Sequence, residues 1–199
     1  MRRLGLLVAL AAAVACGAAP AVAAGGAIEL PQFNGRTLDG RALATSSFAG
    51  KRLVVLCFNP GLDQAEAFAE AVANVSPLRS RHNFAIVGVA LGMDPDGAAA
   101  FARRLGLDFP IFDDADARIT TTLGLRTPLV LLGVDSAGTV GLTLGSLEAE
   151  EARPAAVIED RLRSFLRLPA AGEAPSPVPR CTSCRRVPSP LQLLGDAVP

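Results

Sequence analysis

The chain has 199 residues, with 19 lysines and arginines balanced by 19 aspartates and glutamates, so its formal net charge is zero. A balanced charge argues against the basic surface by which proteins bind nucleic acid. Tryptophan and tyrosine are absent, which also argues against aromatic platforms that stack on single-stranded bases. The single histidine, His82, excludes most histidine-rich metal sites, and we expect no metal and no other cofactor.

The first two dozen residues have the organisation of a secretory signal peptide. Arg2-Arg3 forms a charged start, and the apolar run from Leu4 to Val14 is too short to span a bilayer with ease. Ala21-Val22-Ala23 fits a cleavage site and predicts a signal over residues 1–24. Ala13-Val14-Ala15-Cys16 is the alternative, because a cysteine after small residues resembles a bacterial lipoprotein box and would be lipidated. Both interpretations predict export.

From Ala27 onward, short apolar runs alternate with segments of helical periodicity. Asp39-Gly40 is a hairpin signal, and the continuous apolar run Leu53–Phe58 predicts a central strand covered on both faces. Helical spacing follows over Gln64–Arg81, with a break expected at Pro77. The apolar run Phe84–Leu91 predicts a second buried strand.

The second half of the chain continues this alternation. Asp94 and Pro95 predict the start of a helix that ends at Gly106. The elements predicted after it are a strand over Phe109–Phe112, a helix over Ala115–Leu123, a hairpin of Leu129–Val134 with Thr139–Leu144, and a helix over Arg153–Leu168. We therefore predict an α/β domain over residues 27–168, with a mixed sheet and helices on both faces. Proline, alanine, serine and glycine dominate residues 169–199, which predicts a disordered tail.

Several strings resemble one superfamily by their order and spacing. They are Leu38-Asp39-Gly40-Arg41, Phe84 to Gly92, Phe109-Pro110-Ile111, Leu123 to Pro128 and Val134 to Gly138. Together they resemble the redoxin superfamily, which includes the TlpA-type exported thioredoxin-like proteins and the alkyl hydroperoxide reductase and thiol-specific antioxidant group. The resemblance covers about residues 28–168 and implies a thioredoxin-like fold with thiol-based redox chemistry.

The chain departs from the superfamily at the active-site motif. In thiol-disulfide members a W-C-x-x-C motif follows the central strand, and the helix N-terminus lowers the pKa of its first cysteine. The equivalent residues here are Leu62-Asp63-Gln64-Ala65, so Leu62 and Ala65 stand where the resemblance implies cysteines. The peroxidase pattern P-x-x-x-T-x-x-C would start at Pro60 but meets Gln64 and Ala67. The resemblance thus implies a degenerate active site, and the acidic Asp63 at the helix start is suited to capping the helix dipole.

The remaining cysteines are the other sulfur candidates. Cys57 lies in the apolar central strand, which predicts a buried and inert thiol; the alternative is a displaced nucleophile. Cys181 and Cys184 form the only C-x-x-C, and neighbouring arginines favour a thiolate there. That pair is either a relocated redox pair or a structural disulfide of the tail.

Two further features follow the central elements. Thr127-Pro128 resembles the cis-proline turn of the superfamily, which lies beside the active-site helix and presents backbone to extended substrates. The resemblance implies a cis bond there and a binding role for both residues. Asp113, Asp114 and Asp116 either start a helix or form a weak cation site, and the first interpretation is favoured.

The resemblance implies an exported thiol-disulfide oxidoreductase or peroxide-reducing antioxidant protein of the bacterial periplasm or cell envelope, with its conventional nucleophile replaced. The alternative is a non-catalytic thioredoxin-fold protein that binds an extended peptide or acts as a scaffold. We expect a protein thiol, a protein disulfide or an extended peptide as partner. Nucleic acid is not expected, and a membrane is expected only if Cys16 is lipidated.

Overall fold

The computed structural model describes residues 28–145 and 154–172. Its strands are β1 (Asn34–Arg36), β2 (Ala42–Ala44), β3 (Arg52–Phe58), β4 (Phe84–Leu91), β5 (Ile111–Asp114), β6 (Val130–Val134) and β7 (Val140–Gly145). Its helices are α1 (Ala65–Val75), α2 (Arg79–His82), α3 (Pro95–Arg104), α4 (Arg118–Thr122) and α5 (Ala155–Leu166). Two short 3₁₀ turns cover Thr45–Phe48 and Ser76–Leu78.

The main sheet has five strands in the order β5-β4-β3-β6-β7. Strands β3, β4 and β5 are parallel, β6 runs antiparallel to β3, and β7 runs antiparallel to β6. Strands β1 and β2 form a separate hairpin that joins the edge strand β5 through a bridge between Thr37 and Phe112. This mixed α/β sheet confirms the predicted fold class.

Strand β3 separates two hydrophobic clusters because its side chains alternate between the faces of the sheet. Val54 and Phe58 belong to the larger cluster, which is packed against α1, α3 and α5. Val55 and Cys57 belong to the other cluster, to which α4 contributes Ile119. Helices therefore cover both faces, and β3 reads as an unbroken apolar run because neither face meets water.

The predicted helix over Gln64–Arg81 is divided in the structure. Helix α1 ends at Val75, a 3₁₀ turn containing Pro77 follows, and α2 then begins at Arg79. Proline lacks a backbone N–H and cannot continue an α-helix, so the expected break is confirmed. The predicted cap of α3 is also confirmed, since the Asp94 carboxylate accepts a hydrogen bond of 2.9 Å from the N–H of Gly97.

The predicted limits of two elements were wrong. Strand β5 covers Ile111–Asp114 rather than Phe109–Phe112, because its parallel pairing with β4 continues until Asp114 lies beside Leu91. Helix α4 starts at Arg118 rather than Ala115, since Ala117 has a left-handed φ of 56° that no helix can include. Both limits depend on tertiary pairing or on a backbone geometry that the local sequence does not signal.

Several predicted features lie outside the described residues. They are the signal over residues 1–24 with Cys16, and the tail beyond residue 172 with Cys181 and Cys184. The domain limits of 27 and 168 stay a prediction. Within residues 28–145 and 154–172, no helix has the length and apolar character needed to cross a membrane.

Replacing Gly133 with alanine should destabilise the domain by about 2 kcal/mol, because a core position would be overpacked. A Cβ atom at residue 133 would lie 2.7 Å from the ring of Phe165 and 2.9 Å from the Cβ of Leu142. Urea unfolding followed by far-UV circular dichroism measures the change, since the chain has no tryptophan for fluorescence. The matched control is Gly145→Ala, whose Cβ would find its nearest atom at 3.8 Å. Equal stability of the two variants would contradict the packing argument.

Candidate functional site

The three parallel strands end at one edge of the sheet, here called the carboxyl edge. Strand β3 reaches it at Phe58, and the loop over residues 59–64 then leads into α1. The antiparallel register places Val130, the first residue of β6, beside Cys57. The Thr127-Pro128 turn, which precedes β6, therefore lies at the same edge as the loop. In open α/β sheets this edge is where ligands bind and catalytic residues gather.

Asn59 organises the loop between β3 and α1. Its side-chain Oδ1 accepts a hydrogen bond of 2.9 Å from the N–H of Gly61, and its backbone carbonyl accepts one of 3.1 Å from Leu62. A Cβ atom added at Gly92 would lie 3.1 Å from the Nδ2 of Asn59. An Asn before Pro-Gly is typical of such side-chain turns, so the local sequence carries the signal for this one.

The two positions that the resemblance equates with active-site cysteines are apolar in the structure. Leu62 is half-buried and packs against the larger core, and Ala65 is fully buried as the first residue of α1. Neither side chain has a lone pair or an ionisable proton, so neither can attack a disulfide or a peroxide. The described part of the carboxyl edge holds no nucleophilic sulfur.

Asp63 lies two residues before the start of α1 and does not cap it by a hydrogen bond. The residue before α1 is Gln64, and no side chain accepts a hydrogen bond from the first turn. Gln64 already has helical backbone angles, and the N–H of Ala65 is taken by the carbonyl of Leu62. The negative charge in the first turn comes instead from Glu66, which pairs with Arg104 at 2.8 Å.

The expected cis bond at Thr127-Pro128 was also wrong. None of the peptide bonds in residues 28–145 and 154–172 is cis, so this one is trans. A trans X-Pro bond is favoured by about 0.5–1 kcal/mol unless tertiary contacts select the other isomer. Pro128 is exposed, so little packing opposes that preference. The turn lies at the predicted edge of the sheet, but with a trans bond instead of the expected cis bond. A binding role for Thr127 and Pro128 stays a prediction.

Cys57 is the one cysteine in the described part of the chain, and it is fully buried. It lies between Val89 of β4 and Val130 of β6. Burial, and secondarily the negative charge of Asp114, raises the pKa of the Cys57 thiol to about 12. The thiol is therefore protonated at physiological pH and inaccessible to substrates. Its burial confirms the prediction and argues against the displaced-nucleophile alternative.

The acidic cluster after β5 starts a helix, as the favoured interpretation predicted. Asp114 is 1% exposed, and its carboxylate accepts hydrogen bonds from the N–H of Ile119 at 2.8 Å and of Thr120 at 2.9 Å. The Thr120 hydroxyl donates a third bond of 2.6 Å. In the described ranges, no group of three histidines, cysteines, aspartates or glutamates is arranged to hold a metal ion. Asp114 thus fixes α4 against β5.

Comparison with solved structures shows what this architecture resembles. A secreted disulfide oxidoreductase of Mycobacterium tuberculosis, homologous to E. coli DsbE, is 20% identical and matches 66% of this chain and 95% of its own with a TM-score of 0.59. A thiol:disulfide interchange protein of the thioredoxin family from Chlorobium tepidum is 18% identical and matches 70% of this chain and 97% of its own with a TM-score of 0.58. The protein has a thioredoxin-like fold.

The likeness extends to a peroxide-reducing branch of the same fold. Peroxidoxin BcpB from Mycobacterium tuberculosis is 15% identical and matches 74% of this chain and 97% of its own with a TM-score of 0.59. No protein-family model and no curated protein matches the sequence. These likenesses show the fold that the sequence strings predicted. The equivalence of the loop over residues 59–64 to a redox site stays a prediction from the sequence resemblance.

Cys57 should resist alkylation in the folded protein because its thiol is buried and protonated. The test uses residues 25–199 with Cys181→Ser and Cys184→Ser, so that Cys57 is the only thiol. With iodoacetamide at pH 8, mass spectrometry should find almost no modification in an hour without denaturant and complete modification in 6 M urea. Rapid labelling of the folded chain would contradict the assignment.

Replacing Asp114 with alanine should destabilise the domain by about 3 kcal/mol, because two buried backbone N–H groups of α4 lose a charged acceptor. The matched control is Asp116→Ala, whose exposed carboxylate lies 3.9 Å from Arg118 and should contribute less than about 0.5 kcal/mol. Urea unfolding monitored by circular dichroism compares them. A loss of stability at position 116 as large as at position 114 would oppose this role.

Proposed function

We propose that the protein is exported and performs thiol-based redox chemistry in the bacterial cell envelope, with Cys181 and Cys184 as its redox pair. The observation that carries this proposal is the lack of any available sulfur in the described domain. The loop over residues 59–64 contains no cysteine, and the Cys57 thiol is buried with a pKa of about 12. The thioredoxin-like fold supports the proposed redox chemistry, and the signal predicted over residues 1–24 supports the proposed export.

The proposed chemistry is thiol–disulfide exchange. A thiolate of the pair attacks one sulfur of a substrate disulfide, which breaks the S–S bond and releases the other substrate sulfur as a thiolate that takes up a proton. The second cysteine then attacks the mixed disulfide, so the Cys181–Cys184 disulfide forms and the substrate leaves as a dithiol. Two electrons pass to the substrate, and an external dithiol must reduce the pair again. Arg180 and Arg185 beside the pair favour the attacking thiolate.

Peroxide reduction would use the same two sulfurs. A thiolate attacks the O–O bond, so one cysteine becomes a sulfenic acid and the peroxide leaves as an alcohol, or as water from hydrogen peroxide. The second thiol condenses with the sulfenic acid, releases water and forms the disulfide. An external dithiol again completes the cycle.

The start of the tail is held at the end of the sheet opposite the carboxyl edge. Arg52, the first residue of β3, donates a hydrogen bond to the carbonyl of Leu166, and Arg163 donates one of 2.9 Å to the carbonyl of Pro169. Nine residue steps separate Gly172 from Cys181. An extended chain of that length spans about 30 Å, whereas β3 is about 23 Å long. The segment between Gly172 and Cys181 is therefore long enough to bring the cysteine pair to the carboxyl edge or to a separate partner protein.

A second function is a non-catalytic binding module. It is favoured by the apolar side chains at Leu62 and Ala65 and by the position of Thr127-Pro128 beside the same loop. An extended peptide would contact the exposed backbone of that turn, and no electron transfer would follow. This alternative needs neither tail cysteine.

Changing both Cys181 and Cys184 to serine should reduce insulin-disulfide and hydrogen-peroxide reduction to the uncatalysed rate. The assays use residues 25–199 with dithiothreitol as reductant. The matched control is Cys57→Ala, which should keep the activity of the parent because that thiol does not react. A double variant that retains activity would exclude the tail pair. A parent that is inactive with every reductant would favour the binding module.

A further inference from the structure

The end of the sheet opposite the carboxyl edge is rich in cations. Strand β3 begins there, and its register pairs Arg52 with Phe84 at the start of β4. Helix α2 immediately precedes β4. Helix α5 also ends at this end of the sheet, where Arg52 donates a hydrogen bond to the carbonyl of Leu166. We call this surface the basic end, and its cationic residues are Lys51, Arg52, Arg79, Arg81 and Arg167.

Few carboxylates offset these charges. Arg79 pairs with Asp108 at 2.7 Å. Lys51, Arg81 and Arg167 are exposed, and no carboxylate of the described residues lies within 4 Å of any of them. Two further described carboxylates lie at this end: Asp135, which accepts hydrogen bonds from two backbone N–H groups of its own turn, and the exposed Glu29, which bridges to Thr139, so the five cations face three carboxylates. The basic end therefore keeps a net positive charge although the whole chain is neutral.

The opposite charge collects at the carboxyl edge. Acidic residues follow the ends of the three parallel strands there: Asp63 after β3, Asp94 and Asp96 after β4, and Asp113, Asp114 and Asp116 at the end of β5. The cations near them are Arg36, which lines the same cavity as Asp113 and Asp116, together with Arg118 and Arg126. Carboxylates thus outnumber cations at the carboxyl edge, whereas cations outnumber carboxylates at the basic end, so the domain is dipolar along the strand direction. A dipolar protein approaches a charged surface in a preferred orientation.

The chain also enters the domain at the basic end. The carbonyl of Ile28 accepts a hydrogen bond of 2.8 Å from Val140, and the N–H of Leu30 donates one of 2.9 Å to Gly138. This β6–β7 turn lies at the basic end because Val134 pairs with Leu53 at the start of β3. The side chain of Ile28 is 70% exposed. Residues 17–27 separate it from Cys16 and, fully extended, would span about 40 Å.

We propose that the basic end docks on an anionic phospholipid surface, which leaves the carboxyl edge directed away from the membrane. Cations near such a surface are attracted to its headgroups without a shaped pocket, and these cations come from three separate elements on one end of the domain. An exposed isoleucine beside them suits the interface, where apolar side chains contact the acyl boundary. The docking needs no lipid on Cys16, and it is independent of whether Cys181 and Cys184 are redox active.

The test is sedimentation of residues 25–199 with vesicles of phosphatidylcholine alone or with one third phosphatidylglycerol. All described core residues lie within 28–172, so this chain keeps the whole domain. We expect binding to the anionic vesicles alone, and release in 0.5 M NaCl because salt screens the attraction. Reversing Lys51, Arg81 and Arg167 together to glutamate should weaken binding about 100-fold, at roughly 1 kcal/mol for each lost cation.

The matched control reverses Arg36, Arg118 and Arg126, three exposed arginines outside the basic end, and should change binding less than about threefold. Circular dichroism verifies that all variants are folded. Equal binding to neutral vesicles, or equal weakening by the two triple variants, would overturn the proposal. A further outcome is failure to bind either kind of vesicle, together with binding to poly-glutamate through Lys51 and Arg81. That result would overturn the proposal in favour of an acidic protein partner.

Discussion

The burial of strand β3 on all sides is the constraint on which the other features depend. It pairs with β4 on one side and β6 on the other, and its two faces meet separate hydrophobic clusters. Its neighbours must therefore supply two apolar surfaces, which α1, α3 and α5 do on one face and α4 on the other. The strand also fixes the polarity of the domain. Its Phe58 end defines the carboxyl edge, and its Arg52 end anchors the last helix.

The same burial decides what Cys57 can do. A sulfur in the central strand is shielded from solvent, and its thiol stays protonated at physiological pH because desolvation opposes the thiolate. The folded domain has the architecture of thiol-disulfide oxidoreductases, yet Asn59 shapes its site loop through hydrogen bonds rather than through reactive groups. The redox chemistry proposed above therefore relies on Cys181 and Cys184.

Parallel strand direction also explains how a neutral chain acquires two charged ends. Loops and helix starts that follow β3, β4 and β5 all meet at one edge, and the starts of α3 and α4 are held by Asp94 and Asp114. Helix ends and strand starts gather at the other edge, where cations suit helix C-termini. Helix capping and the helix dipole thus favour carboxylates at one end and Arg81 and Arg167 at the other, where Lys51 precedes the start of β3. This separation gives the proposed membrane contact a defined orientation.

The sequence alone determined the strands whose apolar runs are continuous, such as Phe84–Leu91, and the helix break at Pro77, because these signals are local. It also determined that the site loop lacks cysteine. The limits of β5 were decided by pairing with β4. The convergence of cations on one end was likewise decided by topology. Sequence periodicity describes one element at a time, whereas these features arise from contacts between elements distant in the chain.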